Sequence, residues 1–312
     1  LRLGIEGVPT IVLEAYHTLL PTTRAMVYQP LVEPVLKELG LFEAVSNTGF
    51  LNHDGVRWRD TSGEVLGHLP LGSEGDFAAT FHLGQATMNG LILKELEKYP
   101  CVEVRFGLRV VGIEDMPGSK VKVMVHEQEA QQDYILEADY LLGTDGSKSA
   151  VRRSLCLPFE GFTWPDLKMI GTDILFDFEK ELGYTPLNFF VHPDDWGVVA
   201  FTGEMGDRDG NHLEIPRWRV AFVESTLLPT SQEEILVRAH KKLETFCHGK
   251  KNYTIISAES YWLQHRCAAQ ARKGRVMLAG DALHVGSQFS FHIARFSESP
   301  SSWFSISHSM AN

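Results

Sequence analysis

The chain has 312 residues, 44% of them hydrophobic and 22% charged, with 40 acidic against 29 basic side chains and a formal net charge of -11. A length above about 250 residues divides into more than one core, and the composition is that of a globular protein, not a disordered or fibrous one. The acidic balance argues against a nucleic-acid partner, which needs a concentrated basic surface, and the longest apolar runs fall far short of the roughly 20 residues of a transmembrane segment.

The opening LRLGIEGVPTIVLEA reads as the last turns of a helix, a stop at Gly4 and Gly7, and a strand from Thr10 to Leu13 ending in Glu14. From Leu31 to Leu41 apolar residues recur at helical spacing, and Gly40 supplies a C-terminal stop. Residues 50–76 predict a hairpin excursion with strands around Val56 and Val65, and QATMNGLILKELEKY predicts a helix. From Val102 the period is two: VEVRF, RVVGIED, KVKVMVHE and YILEADYLLGTDG are strands separated by Pro117-Gly118 and polar turns. After Arg153, MIGTDILFDF, LNFFVHP, WGVVAFTGE and WRVAFVES alternate as sheet strands around one helix, SQEEILVRAHKKLETFC, with Ser231 and Glu234 in capping-box positions. A final strand, Arg275 to Ala279, leads to Asp281. Residues 285–312 hold nine serines and no lasting period and are expected to form an aberrant, disordered tail.

Three acids stand at predicted strand ends. Glu14 occupies the position at which a dinucleotide-binding βαβ unit places a ribose-binding acid, about 20 residues beyond a glycine-rich phosphate loop; standing alone, such an acid is more often just a solvated strand end. In YLLGTDGSKSAVRRSL a strand runs into Asp145-Gly146 and then a helix for which Ser147 or Ser149 is an N-cap. That arrangement is expected to aim free backbone N–H groups at an anionic pyrophosphate, with Asp145 and Arg152 at the same edge. In GRVMLAGDALH a buried strand ends in Gly280-Asp281, where glycine permits close backbone approach and the acid can bind a polyol hydroxyl.

No metal site is expected. The four cysteines, Cys101, Cys156, Cys247 and Cys267, form no C-x-x-C pair, and His126-Glu127 lacks the second histidine of H-E-x-x-H, since Ala130 stands in its place. No signal peptide is visible, so a cytoplasmic location is expected, although the chain starts with Leu1 and its N-terminus is read as missing.

Taken together, TIVLEA, GTDGSKSAVRR and GRVMLAGDALH resemble the FAD-dependent aromatic hydroxylases, single-component flavoprotein monooxygenases of the para-hydroxybenzoate hydroxylase and phenol hydroxylase type, from Leu1 to His284. The resemblance implies an α/β fold: an incomplete Rossmann-like FAD-binding domain (1–50, 77–157 and 271–284) interleaved with a β-rich α+β substrate domain (51–76 and 158–270). It implies that Glu14 binds the adenosine ribose, that Arg24 lies near the FAD phosphates, that Gln85 contacts FAD and that Val110 offers its backbone to adenine. Asp145 would belong to a motif serving FAD and NADPH, and Asp281 would hold the ribitol. NADPH or NADH would reduce the flavin, and O2 would form a flavin hydroperoxide that hydroxylates an aromatic or polyketide-like substrate.

No catalytic side chain is assigned. His284 belongs to the motif's loop, and Trp58, Phe189, Phe190 and Trp196 could wall the substrate or simply fill the core. Against the family pattern the chain lacks a first strand and glycine loop, and after GDALH a Pro- and Gly-rich loop, so truncation at both ends is expected. A non-catalytic remnant unable to hold FAD, or an FAD-dependent oxidoreductase of another reaction type, therefore remains open.

Overall fold

The computed structural model describes residues 1–21, 23–71, 79–115, 120–207 and 214–286. In chain order its elements are α1 (Arg2–Ile5), β1 (Thr10–Leu13), β2 (Val27–Tyr28), α2 (Glu33–Glu38), α3 (Phe42–Thr48), β3 (Phe50–Asn52), β4 (Val56–Arg59), β5 (Val65–Leu69), β6 (Thr80–His82), α4 (Gln85–Leu96) and β7 (Val102–Arg105). There follow β8 (Leu108–Asp115), β9 (Val121–Glu127), β10 (Gln132–Ala138), β11 (Leu141–Gly143), α5 (Ala150–Ser154), β12 (Phe159–Leu175), α6 (Phe178–Leu182) and β13 (Leu187–Phe190). The last elements are β14 (Gly197–Asp207), β15 (Glu214–Ser225), α7 (Gln232–Phe246), β16 (Thr254–Ala268), β17 (Arg272–Lys273), β18 (Val276–Leu278) and β19 (His284–Gly286). Residue contacts divide the chain into a first unit, Leu1–Leu108 with Asp166–Tyr261, and a second, Arg109–Pro165 with the chain from Trp262 onward.

In the first unit β1 runs parallel to β7, with Leu13 opposite Arg105. Strands β2, β6 and β3 form a small antiparallel sheet. The large sheet has the order β16-β12-β15-β14-β13-β4-β5 and is antiparallel at most pairs, with β13 parallel to β4. Against it lies α7, whose Ile235, Ala239, Leu243 and Phe246 recur at helical spacing and pack with Ile170, Phe176, Phe190, Val199, Trp218 and Phe222. Each such large side chain contributes roughly 1.5–3 kcal/mol on burial. A second cluster, Leu36, Leu41, Val45, Phe81, Leu83 and Met88, joins α2, α3 and β6 to the first turns of α4.

In the second unit β8, β9 and β10 form a meander in which His126 stands opposite Asp133, their side chains 2.6 Å apart. A separate sheet sets β11 parallel to β18, with β17 antiparallel beyond it. Strand β19 pairs with the far end of β16, His284 opposite Cys267.

Several expectations need correction. The helix read from Leu31 to Leu41 is a 3-10 turn, Pro30–Val32, then α2, ended by Gly40 at φ +71°; α3 is a separate helix. Strand β12 begins ten residues before the predicted Met169 and includes Pro165, a residue that argues against a strand in sequence. The 15-residue β16 was not foreseen. Ser231 does cap α7, but its hydroxyl donates to Glu234 Oε2 at 2.7 Å and accepts no backbone N–H, so the reciprocal capping box does not form. Of the tail, Val285 and Gly286 are ordered in β19; residues 287–312, and the predicted Pro117-Gly118 turn, lie outside the described residues. Among the described residues no helix is long and apolar enough to cross a membrane.

Candidate functional site

In parallel sheets ligands gather at the carboxyl ends of the strands. Asp145 and Asp281 both follow such ends: Gly143 and Leu278, the last residues of β11 and β18, are register partners. Asp145 builds the turn between β11 and α5. Its Oδ1 accepts from the Ser149 hydroxyl and its Oδ2 from the N–H groups of Ala150 and Val151, at 2.6 and 3.2 Å. Ser149 Oγ in turn accepts the Arg152 N–H at 2.9 Å, so of the two serines the sequence offered as N-cap, Ser149 and not Ser147 fills the position. The first-turn N–H groups of Ala150, Val151 and Arg152 are therefore consumed within the turn. This corrects the expectation that they would be free for a pyrophosphate.

Arg152 ties this turn to the loop after β18. The residue is 5% exposed, and its guanidinium donates to the Ala282 carbonyl at 2.8 Å and the Ser147 carbonyl at 2.6 Å and lies over the Phe159 ring at 3.8 Å. Burial lowers its pKa, and the charge of Asp145 opposes that shift. Two glycines complete the rim, Gly146 at φ +81° and Gly280 at φ +56°, and a Cβ at either would meet no atom within 4 Å. Asp281 is exposed, and its carboxylate has no hydrogen-bond partner among the described residues. The same unit contains Val110, half-buried in β8.

The first unit holds Glu14, Arg24 and Gln85. Glu14 follows the carboxyl end of β1; its Oε1 accepts the Tyr16 N–H at 2.9 Å, and its other oxygen has no hydrogen-bond partner among the described residues. Arg24 is exposed in a bend, unpaired among the described residues. The next residue, Ala25, directs its N–H to Gln85 Oε1 at 3.5 Å, so the structure brings the Arg24 bend and the first residue of α4 together. Just before α4, His82 is fully buried: Nδ1 donates to the Phe201 carbonyl at 2.7 Å and Nε2 lies 3.1 Å from the Thr80 hydroxyl. Burial pulls its pKa from 6.5 to about 4.

Of the aromatic residues singled out, Phe190 belongs to the hydrophobic core, whereas Trp58 and Phe189 are cross-strand partners stacked at 6.4 Å and half-buried, as is Trp196. Sequence reasoning missed Glu204, whose carboxylate accepts the Thr87 hydroxyl of α4 at 2.6 Å across 117 residues of chain. No local motif marks it; only the positive-φ Gly203 beside it hints at an irregular strand.

A family model described as FAD binding domain matches residues 1–288. The para-nitrophenol 4-monooxygenase of Pseudomonas sp. (strain WBC-3) is 30% identical over 291 residues, covering 91% of this chain and 68% of that protein. The 6-hydroxy-3-succinoylpyridine 3-monooxygenase HspB of Pseudomonas putida (strain DSM 28022 / S16) is 33% identical over 290 residues, with 91% and 69% covered. The crystal structure of p-nitrophenol 4-monooxygenase PnpA from Pseudomonas putida DLL-E4 matches with a TM-score of 0.81 at 28% identity, over 92% of this chain and 69% of that one. Aklavinone-11 hydroxylase, solved with FAD and aklavinone, shares the fold at a TM-score of 0.74 and 22% identity, over 91% and 54% of the two chains. The chain belongs to the FAD-dependent aromatic hydroxylases, a family of flavoprotein monooxygenases and hence of oxidoreductases.

Proposed function

We propose that this chain uses FAD, with NADPH or NADH as reductant and O2 as co-substrate, to hydroxylate a small phenol-like ring. The observation that carries the reading is the paired rim of the second unit. Two strand-end loops locked together by Arg152 present positive-φ glycines backed by open space, and beside them stands an acid, Asp281, without a partner among the described residues. Backbone free of side chains admits a ligand closely, and a carboxylate without a donor suits a polyol hydroxyl. The residues present therefore fit FAD.

Asp281 would accept from the ribitol, Glu14 from the adenosine ribose through the oxygen that Tyr16 does not occupy, and Arg24 would approach the phosphates as a cation unpaired among the described residues. Gln85 would reach the cofactor from the start of α4, and Val110 would offer backbone to adenine. Asp145, its oxygens committed to α5, would shape the turn rather than bind the cofactor through a free carboxylate. When bound, FAD supplies the redox chemistry and the activation of O2. The protein's share is to bind, orient and exclude water.

Residues 1–50, 77–157 and 271–284 would serve the cofactor and residues 51–76 and 158–270 the substrate. The pairing of β4 and β5 into the large sheet supports grouping 51–76 with the latter. The substrate class is supported by the 30% and 33% identical relatives, both named for hydroxylated six-membered aromatic rings. The stacked, half-buried Trp58 and Phe189 are suited to face such a ring.

The test is incubation of the purified chain with FAD, NADPH or NADH, a panel of para-substituted phenols and isotopically labelled O2. The reading expects substrate-stimulated oxidation of the nicotinamide and one labelled oxygen atom in the product by mass spectrometry. Nicotinamide oxidation that is indifferent to every phenol, with no label incorporated, would overturn it.

A further inference from the structure

Strand β14 does not run straight: its register against β15 shifts between Phe201 and Glu204, a bulge of the kind that re-aims a side chain. Thr202 fixes the bulge by donating to the Arg217 carbonyl at 2.8 Å and accepting the Glu204 N–H at 3.2 Å. Gly203, at φ +78°, lies so near the end of β6 that a Cβ would stand 2.0 Å from the His82 carbonyl oxygen. The bulge thus delivers Glu204 to the start of α4. There its Oε1 accepts the Thr87 hydroxyl, and a Cβ on Gly84 would stand 2.5 Å from the same oxygen.

The other carboxylate oxygen is held from behind by Arg217 at 3.4 Å. Arg217 and Arg219 both pair with the fully buried Asp173, at 2.7 and 2.9 Å. An anchored chain of charges therefore runs from β12 through β15 and β14 to the first turn of α4, on which Gln85 meets the Arg24 bend. Burial, and then the charge of Glu204, pushes the nearby Tyr28 hydroxyl up to about 12.

We infer that Glu204 is a positioning residue for the flavin site: through Thr87 it fixes the first turn of α4, and so the placement of Gln85 toward FAD. The inference rests on the reading that Gln85 contacts FAD. Neither Glu204 nor Thr87 is assigned a contact with the cofactor or the substrate.

The test compares Thr87→Val, Thr87→Ser and Glu204→Gln with the unaltered chain, by FAD fluorescence titration and by hydrogen exchange of the α4 peptide in FAD-free protein. Thr87→Val is expected to weaken FAD binding about tenfold, the scale of one lost hydrogen bond to a charged group. It should also speed exchange over the first turn of α4 with the global melting temperature little changed. Thr87→Ser, which keeps the hydroxyl, should restore both, and Glu204→Gln, which keeps an acceptor oxygen, should fall between. If the unaltered chain binds FAD and Thr87→Val binds it as tightly, or loses affinity only as far as global stability falls, the inference is overturned while the functional reading stands. If the unaltered chain takes up no FAD, the functional reading is overturned and this inference with it.

Discussion

Replacing Arg152 by Ala strikes a side chain that joins the two strand-end loops of the second unit. Its guanidinium makes two hydrogen bonds to carbonyls, at 2.8 and 2.6 Å. Bonds from a charged donor contribute about 1.5–3 kcal/mol each, and stacking of the guanidinium on Phe159 adds about 0.5–2 kcal/mol. Ser147 is exposed, so its carbonyl regains water after the substitution; Ala282 is fully buried, and its carbonyl does not. The expected cost is therefore about 3–4 kcal/mol, near the lower end of the sum. Native-state hydrogen exchange at the amides of β11 and β18 reads this as a local opening energy. Arg152→Lys keeps a charge but not the fork and should recover about half of the loss. A change below about 0.5 kcal/mol in Arg152→Ala, the scale of an ordinary surface substitution, would refute the claim that Arg152 clamps the rim.

His82 makes the first unit sensitive to acid. Its folded pKa of about 4 lies below the ordinary 6.5, so the unfolded chain binds the proton first; stability is complete above pH 6.5 and is lost as pH falls toward 4. The loss approaches about 3 kcal/mol, and urea unfolding across that window should show His82→Asn with a flatter pH dependence than the unaltered chain. Gly280→Ala adds a Cβ that meets nothing within 4 Å, so the folded chain should lose only about 1 kcal/mol from the positive φ. FAD affinity should fall by far more, because the new methyl occupies the space proposed for the cofactor; a melting temperature lowered by only a few degrees beside a much larger loss in the titration would show it. Asp281→Asn, at an exposed carboxylate without a partner among the described residues, should leave thermal stability unchanged and reduce FAD affinity about tenfold.

What was legible in the sequence is what short-range chemistry determines. A strand end followed by an acid, a Ser three residues before a helical N–H, and a glycine in a turn are all local, and on such signals the sequence places Glu14, Asp145 and Asp281 at strand ends, Ser149 among the caps, and Gly146 and Gly280 where the chain turns. The same locality misled at Ser231 and Glu234, whose spacing suits a capping box while the hydroxyl has a carboxylate nearer to hand. It misled again at Asp145, where the carboxylate claims the helix N–H groups that its own motif suggested were free. Strand β16 escaped because its burial does not alternate along its length, and half of it lies in each unit. The charge chain from Asp173 to Glu204 and Thr87 is a tertiary fact. It joins three strands and a helix by contacts that no period or spacing encodes.

The central claim is that the loops closed by Arg152, with Asp281 beside them, belong to a site for FAD. Titrating the purified chain with FAD, followed by flavin fluorescence and visible absorbance, tests it most directly. The account predicts saturable binding with a perturbed flavin spectrum, weakened in both Asp281→Asn and Gly280→Ala. Saturable binding that is indifferent to both substitutions, or no binding at all by the folded chain, would contradict it.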